Sequence, residues 1–253
     1  MILTALIWKE LKENVKAYMS FLTIMVIFGM LSVILIYLMP ELLPEELKEV
    51  LPKPTVIDAL KEFFDNIIQI GGLLTVLIAS GAIAKEIESN TLEILLVRPI
   101  KKEFILISKF ISRTLIIITS IFLAALITWI YSKILGEFPL NRFLIAVVPM
   151  LSSLIFICSI SILVSTFSKS QISSGAASIG TFIVLMVVQS FTIQKIPEGL
   201  RGLYPLYGAS LSIKLLSETV NLTAYVLTTV TPIIYSTIIL IVSALIFMNI
   251  SKP

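Results

Sequence analysis

The chain has 253 residues, of which 57% are apolar and only 14% charged, with a mean hydropathy of +1.04 and a net charge of +3. Soluble domains use about 25% charged residues, so this composition belongs to an integral membrane protein. It contains no histidine and one cysteine, Cys158, which excludes His-dependent metal sites, Ser–His nucleophile pairs and intrachain disulfides together.

Met1–Ala17 interleaves apolar Leu3, Leu6, Ile7, Leu11 and Val15 with charged Lys9, Glu10, Lys12, Glu13 and Lys16. That spacing predicts a helix with one apolar stripe over residues 1–18. With Trp8 suited to headgroups, the helix is expected to lie along the membrane surface. No small-residue cleavage site follows the first apolar run, which reads as a retained anchor.

Segments free of Asp, Glu, Lys and Arg then recur along the chain, and about 20 residues rising about 1.5 Å each cross the roughly 30 Å hydrocarbon layer. They predict six transmembrane helices at 19–39, 67–84, 114–131, 143–167, 172–193 and 231–248 in a single transmembrane domain covering 1–253. The charge-free window Thr219–Ser251 is too long for one simple span. The last span is therefore placed from Thr231, with Pro232 in its first turn and Thr219–Val230 as an external or partly inserted lead-in. The fold class expected is all-α.

Between the first two spans, Pro40–Asn66 holds four prolines and an acidic excess. Thr55 followed by Asp58 predicts an N-cap and a short amphipathic helix through Phe63, expected as a structural lid over the first hairpin. The stretch Gln194–Glu218 is punctuated by Pro197, Gly199, Gly202, Pro205 and Gly208, with Tyr204 and Tyr207 read as interface anchors. Asn221-Leu-Thr223 matches a glycosylation sequon, a pattern common by chance.

Placing both termini inside gathers Lys9, Lys12, Lys16, Lys85, Arg98, Lys101, Lys102, Lys109, Arg113, Lys169 and Lys252 on one side. This basic excess predicts cytoplasmic termini in a multi-pass plasma membrane protein, and it accounts for the basic isoelectric point without a nucleic-acid partner. The chain's partner on this reading is the lipid bilayer.

Small and polar residues mark two spans. Ser174 and Ser178, and Ala176 and Gly180, stand four apart in the fifth, while Gly71, Gly72, Thr75, Ser80 and Gly81 give the second a similar character. Such spacing lets helix backbones approach closely. Gln69 and Gln189 each need a hydrogen-bond partner in lipid. Gln69, Gly72, Thr75, Ser174, Ser178, Gly180 and Gln189 are thus candidates for a subunit interface or a substrate path, with packing inside one subunit as the plainer reading. The predicted spans hold no ionisable carboxylate, lysine or arginine, which argues against a self-powered antiporter without excluding backbone and hydroxyl coordination of Na⁺.

The densest charge lies at 85–113, in the sequence KEIESNTLEILLVRPIKKEFILISKFISR. The second span is expected to end near Ser89. Asn90 then caps a two-turn helix, Thr91–Val97, with Glu93 at its third position, and Pro99 stops it. A helix that short needs a partner surface for Leu92, Leu95 and Leu96. It is either a docking helix or an amphipathic turn lying on the membrane, and the flanking acidic residues favour docking.

This loop resembles that of ABC-2 type permeases, approximately E-x-E-x-G-T-L-x-x-L-L-x-x-P-I-x-R-x-E-x-x-x-x-K. It stands here as Glu86, Glu88, Thr91, Leu92, Leu95, Leu96, Pro99, Ile100, Glu103 and Lys109. Asn90 replaces the usual glycine, which its tolerance of left-handed backbone permits, and Lys102 stands where arginine is frequent. The resemblance implies the six-helix permease of an ATP-binding cassette exporter, paired with a second copy or a paralogue. A soluble ABC ATPase would bind its inner face. The loop helix would be a coupling helix: Leu92, Leu95 and Leu96 would enter an ATPase groove, with Thr91 beside them, and Glu86, Glu88 and Glu93 would meet basic residues there. No G-x-x-x-x-G-K-[ST] loop occurs, so ATP and Mg are expected in the partner and no cofactor in this chain, which is not expected to be an enzyme. The competing classes are a secondary transporter or channel working without an ATPase, and a membrane scaffold or sensor.

Overall fold

The structure, a computed structural model, describes residues 2–42, 44, 53–91 and 102–250. Among these the regular secondary structure is all helical, without strands, and six helices are long and apolar enough to cross a membrane. In chain order they are α1 (Ile2–Glu13), α2 (Val15–Leu42), α3 (Val56–Asn66), a π-helical turn (Ile67–Gly71), α4 (Gly72–Glu88), α5 (Lys102–Ser132), α6 (Leu140–Phe167), α7 (Gln171–Thr192), α8 (Glu198–Arg201), α9 (Tyr207–Ser217) and α10 (Leu222–Ile250). The spans are α2, the continuous α3–π–α4 unit, α5, α6, α7 and α10. An even number of spans puts both chain ends at one end of the bundle, called here the terminal end.

α6 is the most enclosed span and packs against α4, α9 and α10, whereas α7 is the most peripheral and leans chiefly on α4. Serines on α6 are made compatible with an apolar interior by donating to carbonyls a turn earlier: Ser159 to Phe156 and Ser161 to Ile157, at 2.8 and 2.9 Å.

The short helix opening at Thr55 is present. The Asp58 carboxylate accepts from both the backbone N–H and the hydroxyl of Thr55, at 2.9 and 2.7 Å, which satisfies a donor that helix starts leave open. It is not a separate lid. Leu60, Phe63 and Phe64 are fully buried, and Phe63 and Phe64 meet Phe143 of α6 with ring centroids 6.0 and 5.7 Å apart. The helix that carries the second span therefore starts at Val56, well ahead of the charge-free run that begins at Ile67. Lys61, Glu62 and Asp65 interrupt the apolar run without breaking the helix, because they stand aside from the stripe formed by Leu60, Phe63, Phe64 and Ile67.

The last span also differs from expectation. It begins at Leu222, so Thr219–Val230 is mostly helix and Pro232 lies inside the span instead of in its first turn. Asn221 starts it: its side-chain oxygen accepts from Thr223 N–H at 3.2 Å and its carbonyl accepts from Tyr225 N–H at 3.1 Å. The threonines of this stretch hide their hydroxyls on carbonyls four residues back, Thr228 on Ala224 and Thr229 on Tyr225.

The Gln194–Glu218 stretch folds back onto the bundle through α9. Gly208 faces α6 so closely that a Cβ there would sit 2.1 Å from the Pro149 carbonyl oxygen, so only glycine permits the approach. Arg142 closes the far end of α9, its guanidinium donating to the carbonyls of Leu215 and Glu218 at 2.8 and 3.0 Å, the favoured place for a cation on a helix. Tyr204 donates its hydroxyl to the Leu185 carbonyl at 2.6 Å and so ties the connection to α7.

Candidate functional site

At the terminal end the chain buries three charges, and half-buries a fourth, that its composition says it can scarcely accommodate. Glu10 of α1, Lys109 and Arg113 of α5, and Glu86 near the end of α4 form one network. Lys109 donates to Glu10 at 2.9 Å and also to Glu86. Arg113 donates to the second oxygen of Glu10 at 2.9 Å, to the Lys109 carbonyl at 3.1 Å and to Ser112 at 3.2 Å. Glu10, Lys109 and Arg113 are 6%, 3% and 4% exposed. Burial opposes ionisation of Glu10, but Lys109 and Arg113 outweigh it and hold the carboxyl below its usual value of 4.5. Breaking such a buried pair strands a charge and costs roughly 3–5 kcal/mol.

The sequence reading placed Lys109 and Arg113 in a loop and Glu10 on an interfacial helix. The structure puts Lys109 and Arg113 on the buried stripe of α5, in step with Ile105, Ile116 and Ile117, and Glu10 on the inward face of α1. The available signal was spacing: Lys109 and Arg113 are four apart, and Glu10 falls in phase with Leu3 and Ile7. Trp8, on the other side of α1, is well exposed.

The expected ATPase-contacting residues divide. Glu86 is engaged within the chain by Lys109, while Glu88 accepts from the backbone N–H of Gln171 at 2.8 Å and so sits at the N-terminus of α7, where a carboxylate is favoured. Thr91 hydrogen-bonds with Ser89 at 2.8 Å. Leu92, Glu93, Leu95 and Leu96 lie outside the described residues. Asn90 adopts φ 55°, a left-handed backbone, directly after the end of α4. That geometry belongs to a helix stop rather than to the extended backbone of an N-cap, and it explains how asparagine stands in for glycine here.

Two serines bind the same part of α4 to its neighbours. Ser165 of α6 accepts from the backbone N–H groups of Ile83 and Ala84, each at 2.9 Å, and Ser174 of α7 donates to the Ser80 carbonyl at 2.6 Å. In an α-helix the Ala84 N–H and the Ser80 carbonyl are each other's partners. Both members of that pair are therefore engaged from outside by adjacent spans.

The small and polar candidates sort by face. Ser174, Ser178 and Thr75 are all buried, Ser174 against the Ser80 carbonyl of α4. Gly72 lets the Phe182 ring approach, since a Cβ would lie 2.6 Å from its Cζ. The hydroxyls of Thr75 and Ser178 have no partner among the described residues. Gly180 faces outward with nothing near its Cβ position. Gln69 and Gln189, distant in sequence, line one cleft at the end opposite the termini.

The sequence matches a described family, ABC-2 family transporter protein, over residues 4–250, which is nearly the whole chain. The chain belongs to the ABC-2 transporter family. It is an ABC-2 permease, the non-catalytic transmembrane component of a transporter, and a multi-pass membrane protein. No curated protein matches it. In this permease the loop that resembles the family pattern leaves α4 and enters α5 beside the buried charge network.

Proposed function

We propose that this ABC-2 permease forms the substrate path of an ATP-driven exporter together with a second copy or a paralogue, powered by a separate soluble ABC ATPase that carries ATP and Mg. The ATPase docks on the 85–113 segment, and both termini face the cytoplasm of a cell whose plasma membrane holds the complex. The observation that carries this reading is the charge network. Glu86 and Lys109 flank the loop on either side, and through Glu10 and Arg113 they join α1, α4 and α5 into one connected unit. A displacement imposed on the loop by an ATPase reaches three helices through contacts already made. From the same region Ser165 and Ser174 extend the connection to α6 and α7. The basic excess at the terminal end supports the orientation.

The test is Leu95→Ala combined with Leu96→Ala in the assembled transporter. Truncating side chains that fill a partner's pocket removes on the order of 2 kcal/mol or more of binding. The double variant is expected to insert normally, to lose ATPase co-purification and to lose transport. Glu93→Ala, which removes one charge at the rim of the docking surface, is expected to do less. Retention of both ATPase binding and transport by the double leucine variant would overturn the docking assignment and favour a self-powered transporter or scaffold.

A further inference from the structure

The cleft at the end opposite the termini has a chemistry of its own. Its volume is about 360 Å³, and Asp65, Gln69, Gln189 and Ser210 contribute polar groups to walls that include Met186 and Ile213. Asp65 stands roughly 30 Å along the helix from Lys85, the thickness of the hydrocarbon layer, and therefore at the far membrane boundary. The π-helical turn begins two residues later and carries Gln69 on its exposed side. Such turns are frequent at functional sites.

Two acceptors that line the cleft have no donor among the described residues. Asp65 is half-buried, and no described residue hydrogen-bonds or ion-pairs with its carboxylate. Its charged neighbour is Glu62, another carboxylate, and among the described residues no lysine or arginine lines the cleft. The Gln189 amide nitrogen donates to the Leu206 carbonyl at 3.3 Å and to the Ser210 hydroxyl at 3.4 Å. Because a carbonyl can only accept, the other amide atom is the oxygen, and this Oε1 is buried without a donor among the described residues. A carboxylate lacking a cation and an amide oxygen lacking a donor both call for a positively charged group that carries N–H bonds. Beyond the polar groups, Leu73 and Leu77 of α4 and Val187 and Phe191 of α7 present exposed apolar surface. An alkyl chain would lie along it.

We propose that this cleft binds the protonated primary amine of an amphiphile, with Asp65 taking the ammonium charge and Gln189 accepting one of its N–H bonds. A quaternary ammonium carries the same charge but no N–H donor, and fits less well. That the ligand is cargo rests on the permease reading. Binding itself does not, and it is measured without an ATPase, so its failure leaves the docking assignment untouched.

The experiment titrates dodecylamine and dodecyltrimethylammonium into the full chain in phosphatidylcholine nanodiscs by isothermal calorimetry, with empty nanodiscs subtracted. Dodecylamine is expected to bind about tenfold or more tightly than the trimethylated probe, the factor that one charge-assisted hydrogen bond supplies. Asp65→Asn is expected to weaken dodecylamine by a similar factor, and Gln189→Leu to reduce the preference between the two probes. Equal binding of the two probes to the unaltered chain overturns the proposal without any variant having to fold, as does unchanged dodecylamine binding by Asp65→Asn. Adding phosphatidylethanolamine to the nanodiscs separates two sources of the same chemistry. Competition with dodecylamine supports the site with a lipid headgroup as its ligand, and a lack of competition supports it with a free amphiphilic amine.

Discussion

Replacing Glu10 with glutamine keeps the size of the side chain and removes its charge from between Lys109 and Arg113. Two charge-assisted hydrogen bonds of 2.9 Å end on the carboxylate, and each is worth roughly 1.5–3 kcal/mol when buried. Lys109 retains Glu86, and Arg113 retains the Lys109 carbonyl and Ser112, so neither cation is wholly stranded. The expected loss is therefore about 3 kcal/mol, at the lower edge of the range for a broken buried pair. It can be measured by titrating the protein in mixed micelles with SDS, following far-UV circular dichroism and tryptophan fluorescence, with Trp8 on α1 as a local reporter. A cycle with Arg113→Gln isolates the pair, and the coupling is expected to exceed about 1.5 kcal/mol, since contacting residues in one network do not add independently. An exposed ion pair is worth at most about 1 kcal/mol. A loss below that value, or additive single variants, would show that α1 is not held by this network and would remove the link between the loop and the N-terminal helix.

Acidification offers a second approach. Glu10 ionises more readily in the folded protein than its usual value of 4.5, so its contribution is present above that pH and lost as pH falls through the lower folded value. Wild-type stability is expected to drop below about pH 4.5 with a component that Glu10→Gln lacks, and identical acid profiles for the two proteins would contradict this. Gly208→Ala forces a methyl against the Pro149 backbone and is expected to destabilise by about 1–3 kcal/mol in the same unfolding assay. Gly180→Ala, with open space at its Cβ position, is expected to be neutral or slightly stabilising, and similar effects for the two would refute the packing of α9 on α6.

Helix number was readable because a membrane demands long charge-free runs, and the Thr55–Asp58 start was readable because capping is local. The ends of spans were harder. Reading each boundary at the first charge assigned Lys109 and Arg113 to a loop, since their neutralising partner Glu10 lies about a hundred positions away in sequence and only the packing of α1 on α5 brings it near. The start of α10 was missed for the converse reason: a charge-free window longer than one simple span offers no charge to mark where the helix begins, and α10 fills most of it as one 29-residue helix. Gln69 and Gln189 stood out individually as polar residues in spans. Their meeting in one cleft with Asp65 depends on the fold-back of α9, which the glycines and prolines around it disguised as an irregular connection.

The π-helical turn at Ile67–Gly71 amounts to one extra residue in an otherwise continuous span. Each residue of an α-helix advances about 100° around the axis, so the turn offsets the phase of α4 against α3. The upstream half can thus aim Phe63 and Phe64 at Phe143 while the downstream half aims Gly72 at Phe182 and the Ser80 carbonyl at Ser174. One unbroken α-helical register could not satisfy both sets of neighbours. The second span is in effect two helices with separate orientations sharing one axis: removing one residue between Ile67 and Gly71 would restore plain α-helix with both halves still aimed at their neighbours, whereas straightening the turn with every residue kept would rotate the terminal half by about 100°, away from α7.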